Sequence, residues 1–283
     1  MEAMEAMILK LSPVVVDIWR LSIWLAILAA IFVPLERLFA VHPKQLWRKG
    51  IERDLFYYFL NNLLPAALLS LPIAALAWLA HHIIPASWPQ TLAALPLWAQ
   101  VGAGLVASEF GYYWGHRWCH EVPLLWRFHA LHHGAREMDF LVHTHAHPLD
   151  MVFGRLCGLV PLYLLGLGNP VNLEGSLVPV YVAVFGTVWG FYIHANIRWR
   201  WGPLEQLIAT PAFHHWHHTL SGPINRNYSS TFPWLDRAFG TLYLPKQWPA
   251  DYGIAQPLPE TLAAQLTDPL LPAAYPGAEV KAP

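Results

Sequence analysis

Five stretches of this chain stay apolar over nearly the ~20 residues that a membrane-crossing helix needs. They lie near Val14–Val33, Leu55–Ala80, Leu97–Trp114, Met151–Leu167 and Leu177–Ile193. The fourth is short, which leaves it either tilted or half of a tight hairpin with the fifth. Pro65 and Pro72 predict kinks in the second, tolerable in a membrane helix whose neighbours satisfy the freed carbonyls. The polar segments between the runs fix an expected orientation. The loop after the first run carries Arg37, Lys44, Arg48, Lys49 and Arg53, which the positive-inside bias assigns to the cytoplasm. "HHIIPASWPQTLAALP" after the second run and "GNPVNLEG" between the fourth and fifth hold no Lys or Arg, whereas "HANIRWRW" after the fifth is basic again. This pattern predicts an all-α integral membrane protein with four to five transmembrane helices.

Composition agrees. Charged residues make up 12% of the chain, about half the ~25% of soluble domains, and the mean hydropathy is +0.34. A net charge of −1 gives no basic surface for nucleic acid. Cys119 and Cys157 form no disulfide framework or zinc-ribbon spacing. The start, "MEAMEAMILK", is acidic where a secretory signal is basic, so the first apolar run is expected to stay as an anchor.

Histidine changes the picture most. Thirteen of the 16 histidines lie between His116 and His218. They cluster in "HRWCH", "HALHH" and "FHHWHH", all on the expected cytoplasmic side. His116 and His120 are spaced i, i+4, and His129, His132 and His133 are spaced i, i+3, i+4, as are His214, His217 and His218. On a helix such residues share a face, so each trio is expected to aim three imidazoles at one point. His147 and His194 stand singly at the ends of other elements. These ten are the candidate metal ligands, and ten nitrogens imply two metals because one metal takes four to six. Imidazole suits iron, zinc, copper and nickel alike. His143, His145 and His215 are possible additional groups; His215 would point ~100° away from its neighbours on a helix. For His42, His81 and His82 a hydrogen-bonded structural role is the simpler reading.

These boxes resemble the fatty acid hydroxylase/sterol desaturase superfamily. "EFGYYWGHRWCH", "VPLLWRFHALHH", "AHPLD", "HANI", "TPAFHHWHH", "NYS" and "LDRAFGT" follow the family's order from Glu109 to Thr241. Two departures stand out: Glu109 where aspartate is usual, and "NYS" for the commoner Asn-Tyr-Gly. The resemblance implies a non-haem di-iron centre that activates O2 and attacks an unactivated C–H bond of a lipid. It implies a cytoplasmic helical cap over the spans, and a separate electron donor, ferredoxin or cytochrome b5-like with its reductase. A bacterial inner membrane suits a chain with no fused electron-transfer domain. Residues 1–96 are expected to hold the first spans and the basic loop, 97–257 the catalytic domain, and 258–283 a peripheral Pro/Ala-rich tail.

Glu109, seven residues before His116, is on nearly the same helix face and is expected to accept a bond from a ligand's outer ring nitrogen. Asp139, Asn196 and Asp236 are weaker candidates for the same role, as is Asp150; caps and surface charges explain them equally. Arg117, Arg127 and Arg136 fit the positive-inside bias, and Trp114, Trp118, Trp126, Trp199 and Trp201 an interfacial belt. Two other classes compete. A bis-histidine haem protein would need single histidines inside facing spans. A zinc enzyme or transporter would need HExxH or mid-membrane ligands. Hydroxylation and desaturation share the first hydrogen abstraction, and no residue here separates them.

Overall fold

The computed structural model describes residues 12–43, 47–168, 177–256 and 258–271. Every regular element of more than one residue among them is helical. Helix α1 spans Pro13–Leu38, α2 Ile51–Ile83, α3 Ser87–Ala93, α4 Leu97–Glu121, α5 Pro123–His133, α6 Pro148–Leu164 and α7 Val178–His194. The short α8 (Pro211–His217), α9 (Pro233–Ala238) and α10 (Leu262–Thr267) follow. Proline stands in the first turn of α1, α5, α6, α7, α8 and α9, where its missing N–H is no loss and its fixed φ suits helix entry.

All five apolar runs form helices. Two of these, α1 and α2, are long and apolar enough to cross a membrane, and α3 with α4 makes a third candidate as a span bent by 118°. Helix α7, with 17 residues, is a shorter apolar helix. Large apolar side chains face outward along these helices: Trp19 is 65% exposed, Leu71 74% and Trp78 64%. Surface of that kind belongs in lipid; the molecule is a membrane protein. Helix α2 runs through both Pro65 and Pro72. The "GNPVNLEG" turn lies largely outside the described residues.

Two apolar clusters tie the bundle together. One joins α1, α2, α7 and the 3-10 turn Phe140–Thr144 through Phe32, Tyr58, Phe140 and Phe191. The other joins α2, α4, α6 and α7 through Ala80, Ala107, Leu162 and Val182. Helices α4 and α6 approach very closely. A Cβ on Gly111 would lie 2.0 Å from the Cys157 carbonyl oxygen, and one on Gly115 2.6 Å from Cys157 Cβ. Glycines one turn apart thus open the groove that receives α6, whose first turn carries Asp150.

The tail is not peripheral along its described part. Gln265 on α10 is buried, accepts a bond from Tyr57 Oη at 2.9 Å and donates to the Pro259 carbonyl at 2.8 Å. One buried amide meeting a buried phenol on α2 docks this segment against the bundle.

Candidate metal centre

Nine of the ten candidate ligands meet in two adjoining groups. His116, His120, His129, His133 and His217 form the first; His132, His194, His214 and His218 form the second. Within each group one ligand atom per residue lies within 4.8 Å of every other, and all nine are buried. The groups share a wall: the His133 and His218 rings stack with centroids 4.4 Å apart.

The helices explain the division, and they correct the expectation that each HxxHH trio serves one point. Residues i and i+4 lie only ~40° apart around a helix, whereas i+3 and i+4 are ~100° apart. The pairs His129/His133 and His116/His120 therefore stay together in the first group, and His214/His218 in the second. The middle members cross over: His132 turns to the second group and His217 to the first.

Outer hydrogen bonds set the protonation of the rings. In the first group, Nδ1 of His116 donates to the Tyr228 carbonyl at 2.6 Å, Nδ1 of His217 to the Arg226 carbonyl at 2.8 Å and Nδ1 of His129 to the Asp150 carboxylate at 3.0 Å. His120 Nδ1 lies 3.2 Å from Asn225 Oδ1. In the second, Nδ1 of His194 donates to the Gly190 carbonyl at 2.6 Å and that of His132 to the His145 carbonyl at 3.2 Å. A neutral imidazole has one N–H, so each inner Nε2 is a bare lone pair. Yet His116 and His129 Nε2 lie 3.1 Å apart, and His132 and His194 Nε2 3.2 Å apart. Facing lone pairs with no proton between them repel unless a cation joins them. Nε2 of His120 and His217 is likewise buried with no partner. The donor set fits two metal ions, with carbonyls and one carboxylate orienting the imidazoles from behind.

Burial, and then the neighbouring imidazoles, hold His132, His133, His214, His217 and His218 well below the ordinary histidine value of 6.5. These rings are neutral at pH 7 and ready to ligate.

The loop after α8 backs the first group and is itself nailed down. Asn225 and Asn227 adopt positive φ of 58° and 59°, a conformation asparagine tolerates better than most residues. Asn227 Nδ2 donates to the carbonyls of Phe213 and Tyr243, and its Oδ1 accepts from Tyr243 N. Asp236 accepts from the backbone N–H of Tyr228 and Ser229, from Ser229 Oγ, and from Thr241 Oγ1. The serine of "NYS" thus adds a bond that glycine would lack.

The expected outer groups act at one remove. Glu109 does not reach a histidine in its hydrogen bonds: it accepts from Ser230 N, Ser230 Oγ and Thr231 N, fixing the strand of loop that also presents the Tyr228 carbonyl. Asp139 pairs with Arg48 at 2.6 Å and caps the 3-10 turn through Leu141 N. Asn196 clamps the backbone of Val41 and His42. The carboxylate that does touch a candidate ligand is Asp150, two residues after "HP", a position the sequence marks only as one weak candidate among several.

His147 stands apart from both groups. Its Nδ1 accepts from Leu149 N at 3.1 Å as the cap of α6, and its Nε2 donates to the Leu266 carbonyl at 3.1 Å. With both nitrogens engaged it has no lone pair for a metal. His215 uses its nitrogens on Tyr252 Oη and the Ala195 carbonyl. His145 Nδ1 bonds Asp54, and its carbonyl orients His132. His143 lies against the second group, its ring centroid 5.4 Å from that of His194; burial, with Arg155 nearby, pushes it down to about 3.

Comparison with known proteins finds relatives named as lipid hydroxylases and monooxygenases. The fatty acid hydroxylase family model matches residues 101–241. An ornithine lipid hydroxylase of Rhizobium tropici is 35% identical over 190 residues, 66% of this chain and 53% of that protein. An alkylglycerol monooxygenase of Xenopus tropicalis is 28% identical over 151 residues, 53% of this chain and 32% of that one. Methylsterol monooxygenase 2-2 of Arabidopsis thaliana is 30% identical over 197 residues, 68% of each chain. The chain spans about half the length, or less, of the first two relatives. No solved structure matches.

Proposed function

The chain belongs to the fatty acid hydroxylase/sterol desaturase superfamily, and from that premise we propose that it is a membrane-bound di-iron oxidoreductase. It uses O2 and electrons from a separate protein, ferredoxin or cytochrome b5-like, to hydroxylate or desaturate a C–H bond of a lipid. The nine converging histidines would hold two irons, one within the group of five and one within the group of four. Bound iron would supply the oxidising chemistry, since it changes oxidation state as zinc does not.

One observation carries the reading: bare Nε2 lone pairs of His116 and His129, and of His132 and His194, facing one another at 3.1 and 3.2 Å in a buried cage. The relatives named as lipid hydroxylases and monooxygenases support the substrate class. What the chain itself contributes is placement. The loop held by Glu109, Asn227 and Asp236 orients His116 and His217, and the burial of all nine rings limits water around them. Residues 97–257 form the catalytic domain, carried on four to five spans, and the histidine cap faces the cytoplasm of a bacterial inner membrane.

The test is a lipid mass profile under 18O2 from cells making this chain or its His217→Ala variant. A lipid that gains one labelled oxygen only with the intact chain establishes a hydroxylase. A lipid that loses two hydrogens and gains no label establishes a desaturase. Identical profiles from cells supplied with iron and a matched donor would contradict both.

A further inference from the structure

The second histidine group has few hydrogen bonds behind its rings. His132 and His194 each donate to a carbonyl, but Nδ1 of His214 and of His218 is buried with no hydrogen-bond partner among the described residues. The aim of those two rings therefore depends on the backbone that carries them. That backbone is the seven-residue α8, Pro211–His217, and the turn at its end. A helix so short does not hold its shape alone.

His215 stands between the two halves of the group. It is fully buried, and it follows His214 directly in the chain. Its Nε2 donates at 3.1 Å to the carbonyl of Ala195, the residue after His194. A carbonyl can only accept, so the one proton of the neutral ring is on Nε2 and Nδ1 is an acceptor. Tyr252 Oη donates to that Nδ1 at 2.8 Å. The phenol thereby fixes the tautomer that holds Ala195, whose carbonyl also accepts from Ile197 N at 2.7 Å. One imidazole thus ties the exit of α7 to α8. The ligands on either side of the tie, His194 and His214, face each other with Nε2 atoms 2.9 Å apart. The His215 ring meets Trp248 and Tyr252 edge-on, with centroids 5.3 Å from each.

The same segment reaches His218. Tyr252 forms an isolated β-bridge with Thr219, and Gly253 N donates to the His218 carbonyl at 3.1 Å. Three of the four ligands in the second group are therefore one residue or one hydrogen bond from His215 or from Tyr252–Gly253. Tyr252 and Gly253 lie beyond residue 241, where the fatty acid hydroxylase match ends.

We propose that His215 and Tyr252 are positioning residues for the second metal. Tyr252 sets the His215 tautomer, and His215 locks His194 and His214 in register. Neither is a ligand. The inference rests on the two-metal part of the reading above and is independent of the lipid chemistry.

Metal uptake without turnover tests it. The full chain, purified metal-free in detergent, is titrated with Fe(II) in the absence of O2 and followed by 57Fe Mössbauer spectra. The intact chain is expected to take up two irons, and His194→Ala shows which signal belongs to the second group. His215→Ala is expected to weaken that iron about tenfold, the lower end of the effect of losing a ligand's supporting partner, with the first unchanged. His215→Leu fills the space without a donor and should behave like His215→Ala. His215→Gln keeps an N–H within reach of Ala195 and should recover most of the affinity. Tyr252→Phe should cost about threefold, the scale of one lost hydrogen bond. Should His215→Ala fail to fold, the Leu, Gln and Phe variants carry the comparison. Recovery by Leu as complete as by Gln would mean packing alone and overturn the proposal, as would equal weakening of both irons. Two irons held normally in every variant at His215 and Tyr252 would overturn the proposal and leave the two-metal reading standing. An intact chain that takes up no second iron would overturn both.

Discussion

The two histidine groups share α5 and α8 but are held differently. The first has five imidazoles, drawn from α4, α5 and α8, and its outer partners include the Asp150 carboxylate behind His129. The second has four, drawn from α5, α7 and the end of α8, and its outer partners are the neutral carbonyls of Gly190 and His145. Nδ1 of His214 and His218 in the second group is buried with no partner at all. An anionic partner raises ligand basicity. The first group is therefore expected to hold a metal more tightly than the second. Two metals held by one pair of crossing trios need not be equivalent.

The largest effects come from removing one ligand on either side. His129→Ala and His194→Ala are each expected to lower lipid oxidation at least about 1000-fold, because paired metal ligands act as a unit. Each should empty its own group first, read by metal titration of the purified variants. Loss of both metals in both variants would show that the groups bind as one.

Asp150→Asn sharpens the asymmetry. It should weaken metal at the first group about 10- to 100-fold and leave the second unchanged. Equal weakening of both would refute the distinction drawn from the outer partners.

Acid is the next lever. The five rings whose protonation burial suppresses bind fewer protons folded than unfolded, so metal-free protein loses stability as pH falls through about 6.5 and continues to lose it toward the depressed folded values. Thermal unfolding of the metal-free chain should thus occur at lower temperature at pH 5.5 than at pH 7.5. Bound metal should blunt the difference, since it competes with the same protons. A flat or inverted profile would contradict neutral, inward-facing imidazoles.

The smallest effect is expected at His147. His147→Gln should leave both metals in place and cost about 1 kcal/mol, the usual scale for a lost helix cap, measured by chemical unfolding. Loss of a metal would restore it to the ligand set.

The helices and the clustering of histidines were legible in the sequence because both follow from short-range spacing. Long apolar runs declare themselves, and HxxHH places imidazoles on one side of a helix. What spacing alone does not show is which side chain crosses to which group. His132 and His133 are neighbours in sequence yet fall in different groups, a consequence of the ~100° step between adjacent helical residues. His147 looked like a ligand by its place in "HAHP", but a cap bond and the docked α10 use both its nitrogens. Glu109 was read as touching a ligand; its long side chain instead reaches the backbone of Ser230 and Thr231, contacts 121 and 122 residues away in sequence. Asn225, the Tyr228 carbonyl and Gly190 carry no local signal, since each acts through backbone or through a turn formed only in the fold.

Iron and zinc content per chain, measured on protein purified from iron-replete cells, tests the central claim most directly. Two irons per chain is the predicted result. A single metal per chain, or two zinc ions with iron absent, would contradict the account.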